Sequence, residues 1–217
     1  LVVQNRAQTK EQVLSVDEKS GATKVLLTEE DAAWLNLEQA FPLWWKGEGF
    51  FWVTERNGAS EVELRGLDGA LKASWVKPGA GFVSLLGFDA PTKTLFFTGG
   101  TNPTAQVPFR VVDGGAPVPL TNAGWSEGRA VVQGKLTGDG KFLALTHTTL
   151  QSMPKTSVLS VDGARSLVVP SVAEEPSLQL TAEIFQLEND GAWVEVIRPA
   201  KFEKGTKYPV ILEVYGG

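Results

Sequence analysis

The chain has 217 residues, a formal charge of −5, one histidine and no cysteine. No disulfide framework or cysteine-based metal site can form, and a single histidine excludes a histidine-cluster metal centre. The mild acidity leaves no basic stripe to neutralise phosphates, which argues against a nucleic-acid partner. No run approaches the roughly 18 apolar residues needed to span a bilayer. No cofactor is expected. The chain starts at Leu1 and shows no visible signal peptide, so its first residue is read as a fragment boundary.

In chain order, the first elements are two strands over roughly 11–31, with Val13-Leu14-Ser15-Val16 running into Asp17. Thr28 and Asp31 fit a loose capping box, which predicts a helical turn over Thr28–Leu37. Short apolar runs separated by turn dipeptides follow. Asn57-Gly58, Asp68-Gly69, Asp113-Gly114, Asp139-Gly140, Asp162-Gly163 and Asp190-Gly191 are all of the hairpin type, in which both central residues take φ > 0. The composition of these runs reads as all-β.

The runs repeat. Leu43–Val53, Gly87–Phe97 and Leu136–Leu145 each carry an apolar strand, a tight polar turn and a strongly apolar strand. With Phe51, Phe96 and Leu143 as equivalents, the offsets are 45 and 47. A second pattern ends in an acidic turn at Asp68, Asp113 and Asp162, with offsets of 45 and 49, and Asp17 fits as a further copy. Four short strands per unit of about 40–50 residues is the signature of a β-propeller. Three full blades are expected at roughly 41–77, 81–124 and 129–172, after the incomplete blade at 11–31. The second strand of each blade is expected to be the most apolar, because neighbouring blades cover both its faces. A compact β-sandwich is the competing architecture.

The pattern breaks after Pro170–Pro176. Thr181–Glu188 and Ala192–Pro199 form an expected hairpin around Asn189-Asp190-Gly191. Val210–Val214 is nearly continuous apolar sequence, as expected of a strand buried on both faces of an α/β sheet. A division at 1–176 and 177–217 follows.

A propeller followed by a hairpin, then Arg198-Pro199-Ala200-Lys201-Phe202 and Lys207-Tyr208-Pro209-Val210-Ile211-Leu212-Glu213-Val214-Tyr215-Gly216-Gly217, resembles the dipeptidyl-peptidase-IV branch of the prolyl oligopeptidase family. The stretch Trp34 … Pro42 … Phe50–Gly58 is similar to its late blades. The resemblance implies late propeller blades and the first strands of an α/β-hydrolase domain. The whole enzyme would be a serine peptidase releasing N-terminal dipeptides through an acyl-enzyme. Its Ser–Asp–His triad would lie outside this chain, which alone would be inactive. The resemblance implies peptide substrates, a periplasmic or secreted location, and admits a homodimer. A non-catalytic propeller binding module, and an oligopeptidase or acylaminoacyl-peptidase of the same family, remain open alternatives.

By the same resemblance, Tyr215 supplies its hydroxyl to the oxyanion hole, at the loop from which α/β-hydrolases draw such a donor. Gly124-Trp125-Ser126-Glu127-Gly128 matches the nucleophile elbow G-x-S-x-G, and Asp139 and His147 follow in hydrolase order. This is read as a decoy. No buried strand precedes Ser126, strand-like sequence follows it, and it stands 89 residues before Tyr215. Asp139 is expected in a hairpin turn and His147 at a blade edge. Glu29-Glu30 and Glu174-Glu175 are expected to be solvated loop charges. The resemblance puts the amine-binding acidic pair on an earlier blade, so it is not transferred to them. Trp44, Trp45, Trp52 and Trp75 are read as blade packing.

Overall fold

The computed structural model describes residues 1–120, 130–174, 177, 181–188 and 191–214. They contain strands and no helix. Two compact units are present, residues 1–149 with 154–172, and 150–153 with 173 onward.

The first unit is a series of antiparallel meanders. Its first sheet has strands β1 (Val2–Gln4), β2 (Lys10–Val16) and β3 (Thr23–Glu30). The second has β4 (Leu43–Trp45), β5 (Gly49–Thr54), β6 (Glu61–Arg65) and β7 (Leu71–Val76). The third has β8 (Phe82–Asp89), β9 (Thr94–Gly99), β10 (Val107–Val112) and β11 (Val118–Pro119). The fourth has β12 (Ala130–Leu136), β13 (Phe142–Thr149), β14 (Ser152–Ser160) and β15 (Ser166–Val168). Three four-stranded repeats therefore stand where the spacing places them. The incomplete repeat has three strands rather than two, because Val2–Gln4 pairs with Glu11–Val13. The expected helical turn is absent. Thr28–Glu30 continues β3, and Asp31 turns the chain by accepting the backbone N–H groups of Ala33 and Trp34. An aspartate that satisfies local N–H groups this way favours a turn over a helix.

Two apolar clusters fill the spaces between sheets. One joins Val13 and Leu27 of the first sheet to Phe50, Phe51 and Val62 of the second and Leu95 and Phe97 of the third. Phe51 lies within ring contact of Trp45, Trp75 and Phe88. The other joins Phe96 of the third sheet to Val132, Leu143, Leu145 and Leu159 of the fourth. Strands β5 and β9 are buried almost throughout, as expected of strands covered on both faces. Strand β13 differs. Leu143 and Leu145 are buried, whereas Phe142 and Ala144 are exposed, because no later sheet among the described residues of this unit covers that face.

The repeated glycines have a packing role. At 69, with φ +87°, an added Cβ would lie 1.8 Å from the Leu26 carbonyl oxygen of the preceding sheet. At 114 it would lie 3.3 Å from Trp75, and at 163 it would lie 3.5 Å from Leu120, again in the sheet before. The turn between the third and fourth strands thus seats against the preceding sheet each time. The turn types are more varied than the dipeptides imply. Among the described residues only Asp113-Gly114 has both central residues at positive φ, closed by Gly115 N–H to Val112 C=O. At Gly58, Gly69, Gly140 and Gly163 the glycine alone is positive and donates to the carbonyl three residues earlier. That geometry is a type I turn followed by a left-handed residue, as in longer hairpin loops.

In the second unit, β16 (Ala182–Gln186) and β17 (Trp193–Ile197) form the expected hairpin, with Ala182 opposite Ile197. Arg198 pairs with Glu183 and stands 5.3 Å from the Phe202 ring centroid, which in turn lies 5.4 Å from that of Tyr208. The Tyr208 hydroxyl accepts the Glu203 N–H at 3.1 Å. The Arg-Pro-Ala-Lys-Phe and Lys-Tyr-Pro motifs thus fold against each other. Residues 210–214 differ from expectation. They form no strand, and Val210, Ile211, Leu212 and Val214 are exposed. A strand buries both faces only inside a covered sheet, and the described residues of this unit supply one ribbon and no helix.

Candidate functional site

Tyr215 and Ser126 lie outside the described residues. The other decoy members are described, and they stand apart. Asp139 occupies the β12–β13 turn, where it accepts the Thr137 hydroxyl and the Lys141 N–H. Those bonds hold its carboxyl below the ordinary value. His147 lies opposite Val132, while Leu143, near the turn, lies opposite Leu136. Four residues of strand separate His147 from Leu143, roughly 14 Å of rise, so Asp139 and His147 form no dyad. Burial, and then the charge of Lys155, holds the His147 imidazole below its ordinary value.

A cluster that the sequence reading missed lies between the first two sheets. Glu29 was expected among solvated loop charges; it is instead buried near the end of β3. Strand alternation turns it inward together with Leu27, while Glu30 points outward and pairs with Lys10 at 2.7 Å. The Glu29 carboxylate accepts Trp52 Nε1–H at 3.1 Å, the Thr54 hydroxyl at 3.2 Å and the Arg56 guanidinium. Trp52 therefore packs between sheets, as expected, and also carries a polar link.

Arg56 extends this network to Glu63, whose Oε1 is 3.5 Å from Nη1. The other Glu63 oxygen accepts Nε–H and Nη2–H of Arg65 at 2.9 and 2.6 Å. Arg65 also donates Nη1–H to the Gly69 carbonyl at 2.9 Å. Glu63 and Arg65 are buried because both faces of β6 are covered. Each charge meets an opposite charge and hydrogen bonds, as burial demands.

Glu11 is the exception. It faces Glu29 across the β2–β3 ladder. It is 3% exposed, and its Oε1 has no hydrogen-bond partner. Burial first, and the Glu29 charge second, push its carboxyl above the ordinary value. Glu11 and Glu29 line a cavity of about 80 Å³ beside Trp34 and Trp52. The signal for Glu11 was present in the sequence. It stands two residues before Val13 on an alternating strand, on the face the core requires. Of the other acidic pair, Glu174 is exposed, as expected, and Glu175 lies outside the described residues. Trp45 and Trp75 pack in the core, while Trp44 remains half-exposed above Phe50.

Repeated four-stranded meanders packed face to face, each sheet's outer turn seated on the sheet before it, define the first unit as a segment of a β-propeller. Residues 1–154 match the family described as the dipeptidyl peptidase IV N-terminal region. The chain belongs to that family. Dipeptidyl peptidase 4 from Porphyromonas gingivalis is similar in fold, with a TM-score of 0.77 at 18% identity over 96% of this chain and 30% of that one. A putative dipeptidyl aminopeptidase IV from Bacteroides ovatus gives 0.72 at 18% identity, over 96% and 33%. TolB from Acinetobacter baumannii gives 0.54 at 19% identity, over 87% and 46%. The chain thus spans about a third of the length of the two peptidase structures. No helix among the described residues is long and apolar enough to cross a membrane.

Proposed function

We propose that this chain is the late propeller segment, with the first hydrolase strands, of a serine exopeptidase of the dipeptidyl-peptidase-IV type. The observation that carries the reading is the family match over residues 1–154. The Lys207–Gly217 motif supports it. In this reading, 1–176 belongs to the propeller and 177–217 opens the α/β-hydrolase domain. The Ser–Asp–His triad lies elsewhere in the polypeptide, and the 217-residue chain alone is inactive. The propeller restricts access to the site and helps to hold a peptide substrate.

Tyr215 carries the one catalytic role assigned to this chain. Attack on a peptide carbonyl moves charge onto its oxygen, and a hydroxyl already aimed at that position stabilises the charge without reorganising. The full-length protein is expected to release dipeptides from dipeptidyl 4-nitroanilides, and not from N-acylated analogues. Tyr215→Phe should lower kcat by about 10²–10³-fold with little change in KM. Absence of dipeptide release by the full-length protein, or an unaltered kcat in Tyr215→Phe, overturns the reading.

A further inference from the structure

The buried carboxylate of Glu11 keeps one oxygen, Oε1, without a hydrogen-bond partner. Leaving a charged oxygen buried without a partner costs several kcal/mol in effective terms. Its cross-strand neighbour cannot help. Glu29 carries the same charge and is already occupied by Trp52, Thr54 and Arg56. Arg56 is itself shared between Glu29 and Glu63. Of the other acidic residues along the cavity, Glu30 pairs with Lys10 and Asp31 accepts the Ala33 and Trp34 N–H groups, and Arg56 is the one cationic side chain among its described lining residues. The site is therefore strongly electronegative, with one deep acceptor uncommitted.

Its walls are built in advance. The connection after β3 is fastened by Gln4 Nε2–H to the Leu35 carbonyl at 3.0 Å and by Leu35 N–H to the Gln8 carbonyl at 2.7 Å. Trp34 Nε1–H donates to Asn36 Oδ1 at 3.0 Å, which fixes the indole at the rim. The cavity holds about 80 Å³, against the roughly 10–15 Å³ that one water requires. No group of three or more metal-ligating side chains converges among the described residues. One uncommitted carboxylate in a cavity that also holds two indoles suits a compact N–H-donating cation with an apolar stem, which gains an ion pair and contact with an aromatic surface.

We propose that the cavity between the first two sheets binds a primary ammonium group on a short aliphatic stem, with Glu11 as its buried counter-ion and Trp34 and Trp52 as its walls. A lysine side chain and a peptide N-terminus both present this chemistry. The site uses residues of this chain alone and does not depend on the peptidase reading.

Calorimetric titration of the full-length protein at constant ionic strength tests it. Nα-acetyl-lysine methylamide offers only a side-chain ammonium, alaninamide only an α-ammonium, and tetramethylammonium a cation without an N–H. Saturable binding of either amine supports the proposal and assigns the source. Glu11→Gln should weaken that binding at least tenfold, whereas Lys10→Gln, on the outward face of the same strand, should retain it. Glu11→Gln removes a buried charge, so it should stay folded, and its thermal midpoint reports this directly. No saturable binding of either amine overturns the proposal. So does equal binding by Glu11→Gln, or equal binding of tetramethylammonium.

Discussion

The Glu63–Arg65 pair gives the sharpest test of how the second sheet holds together. Arg65→Ala removes two N–H bonds to one Glu63 oxygen and a third to the Gly69 carbonyl. The side chains are 3% and 8% exposed, so water cannot replace those bonds. Stranding one partner of a buried ion pair costs about 3–5 kcal/mol. The lower end applies, because Arg56 Nη1 remains 3.5 Å from the other Glu63 oxygen. A loss of about 3 kcal/mol corresponds to a fall of about 6–12 °C for a unit of this size. Urea unfolding followed by tryptophan fluorescence measures it, with Trp52 and Trp75 reporting from the same sheet. The double variant Glu63→Leu/Arg65→Met removes both charges and refills the space, so it should lie within about 1 kcal/mol of the parent. An Arg65→Ala loss below about 1 kcal/mol, or a double variant as unstable as the single one, refutes the reasoning.

Four further outcomes follow from the same packing. Glu11 has a raised carboxyl pKa in the folded state, so the folded chain binds more protons than the unfolded chain above the ordinary value of 4.5. Stability should therefore fall as pH rises through that window, and the Glu11→Gln thermal midpoint should lack this component. Gly69→Ala should cost at least about 2 kcal/mol, since left-handed strain adds to a backbone collision; Gly21→Ala, with nothing within 4 Å, should cost about 1 kcal/mol. Leu143→Ala should lose about 3 kcal/mol in urea unfolding, while Phe142→Ala, on the open face of β13, should lose less than about 1 kcal/mol. Lys10→Ala breaks an exposed pair and should change the unfolding free energy, read from urea unfolding, by no more than about 0.5 kcal/mol.

Much of the architecture was legible in the sequence, for a physical reason. A sheet that must pack on both neighbours repeats its apolar strand and its Asp-Gly turn at fixed intervals, so Phe51, Phe96 and Leu143 mark successive repeats. The hairpin of the second unit was equally local, written in alternation around one turn. The turn geometries were less so. Asn57-Gly58 and Asp68-Gly69 read as two-residue turns, yet the number of residues in each loop puts only the glycine in the left-handed region. The helix expected after Thr28 failed because strand pairing with β2 continued through Glu30 and Asp31 then capped a turn.

The candidate site shows where sequence stops. Alternation alone makes Glu11 and Glu29 inward neighbours, and that much belongs to the strand. Whether an inward glutamate is satisfied depends on which side chains the adjacent sheet brings to it. Trp52, Thr54 and Arg56 lie more than twenty residues from Glu29, and their arrival neutralises it while leaving Glu11 without a partner. The sequence by itself determined the repeat and the places where its strands turn. Only the packing of one sheet on the next decided which carboxylates are paired and which one keeps an oxygen without a partner, because desolvation and charge compensation act through space rather than along the chain.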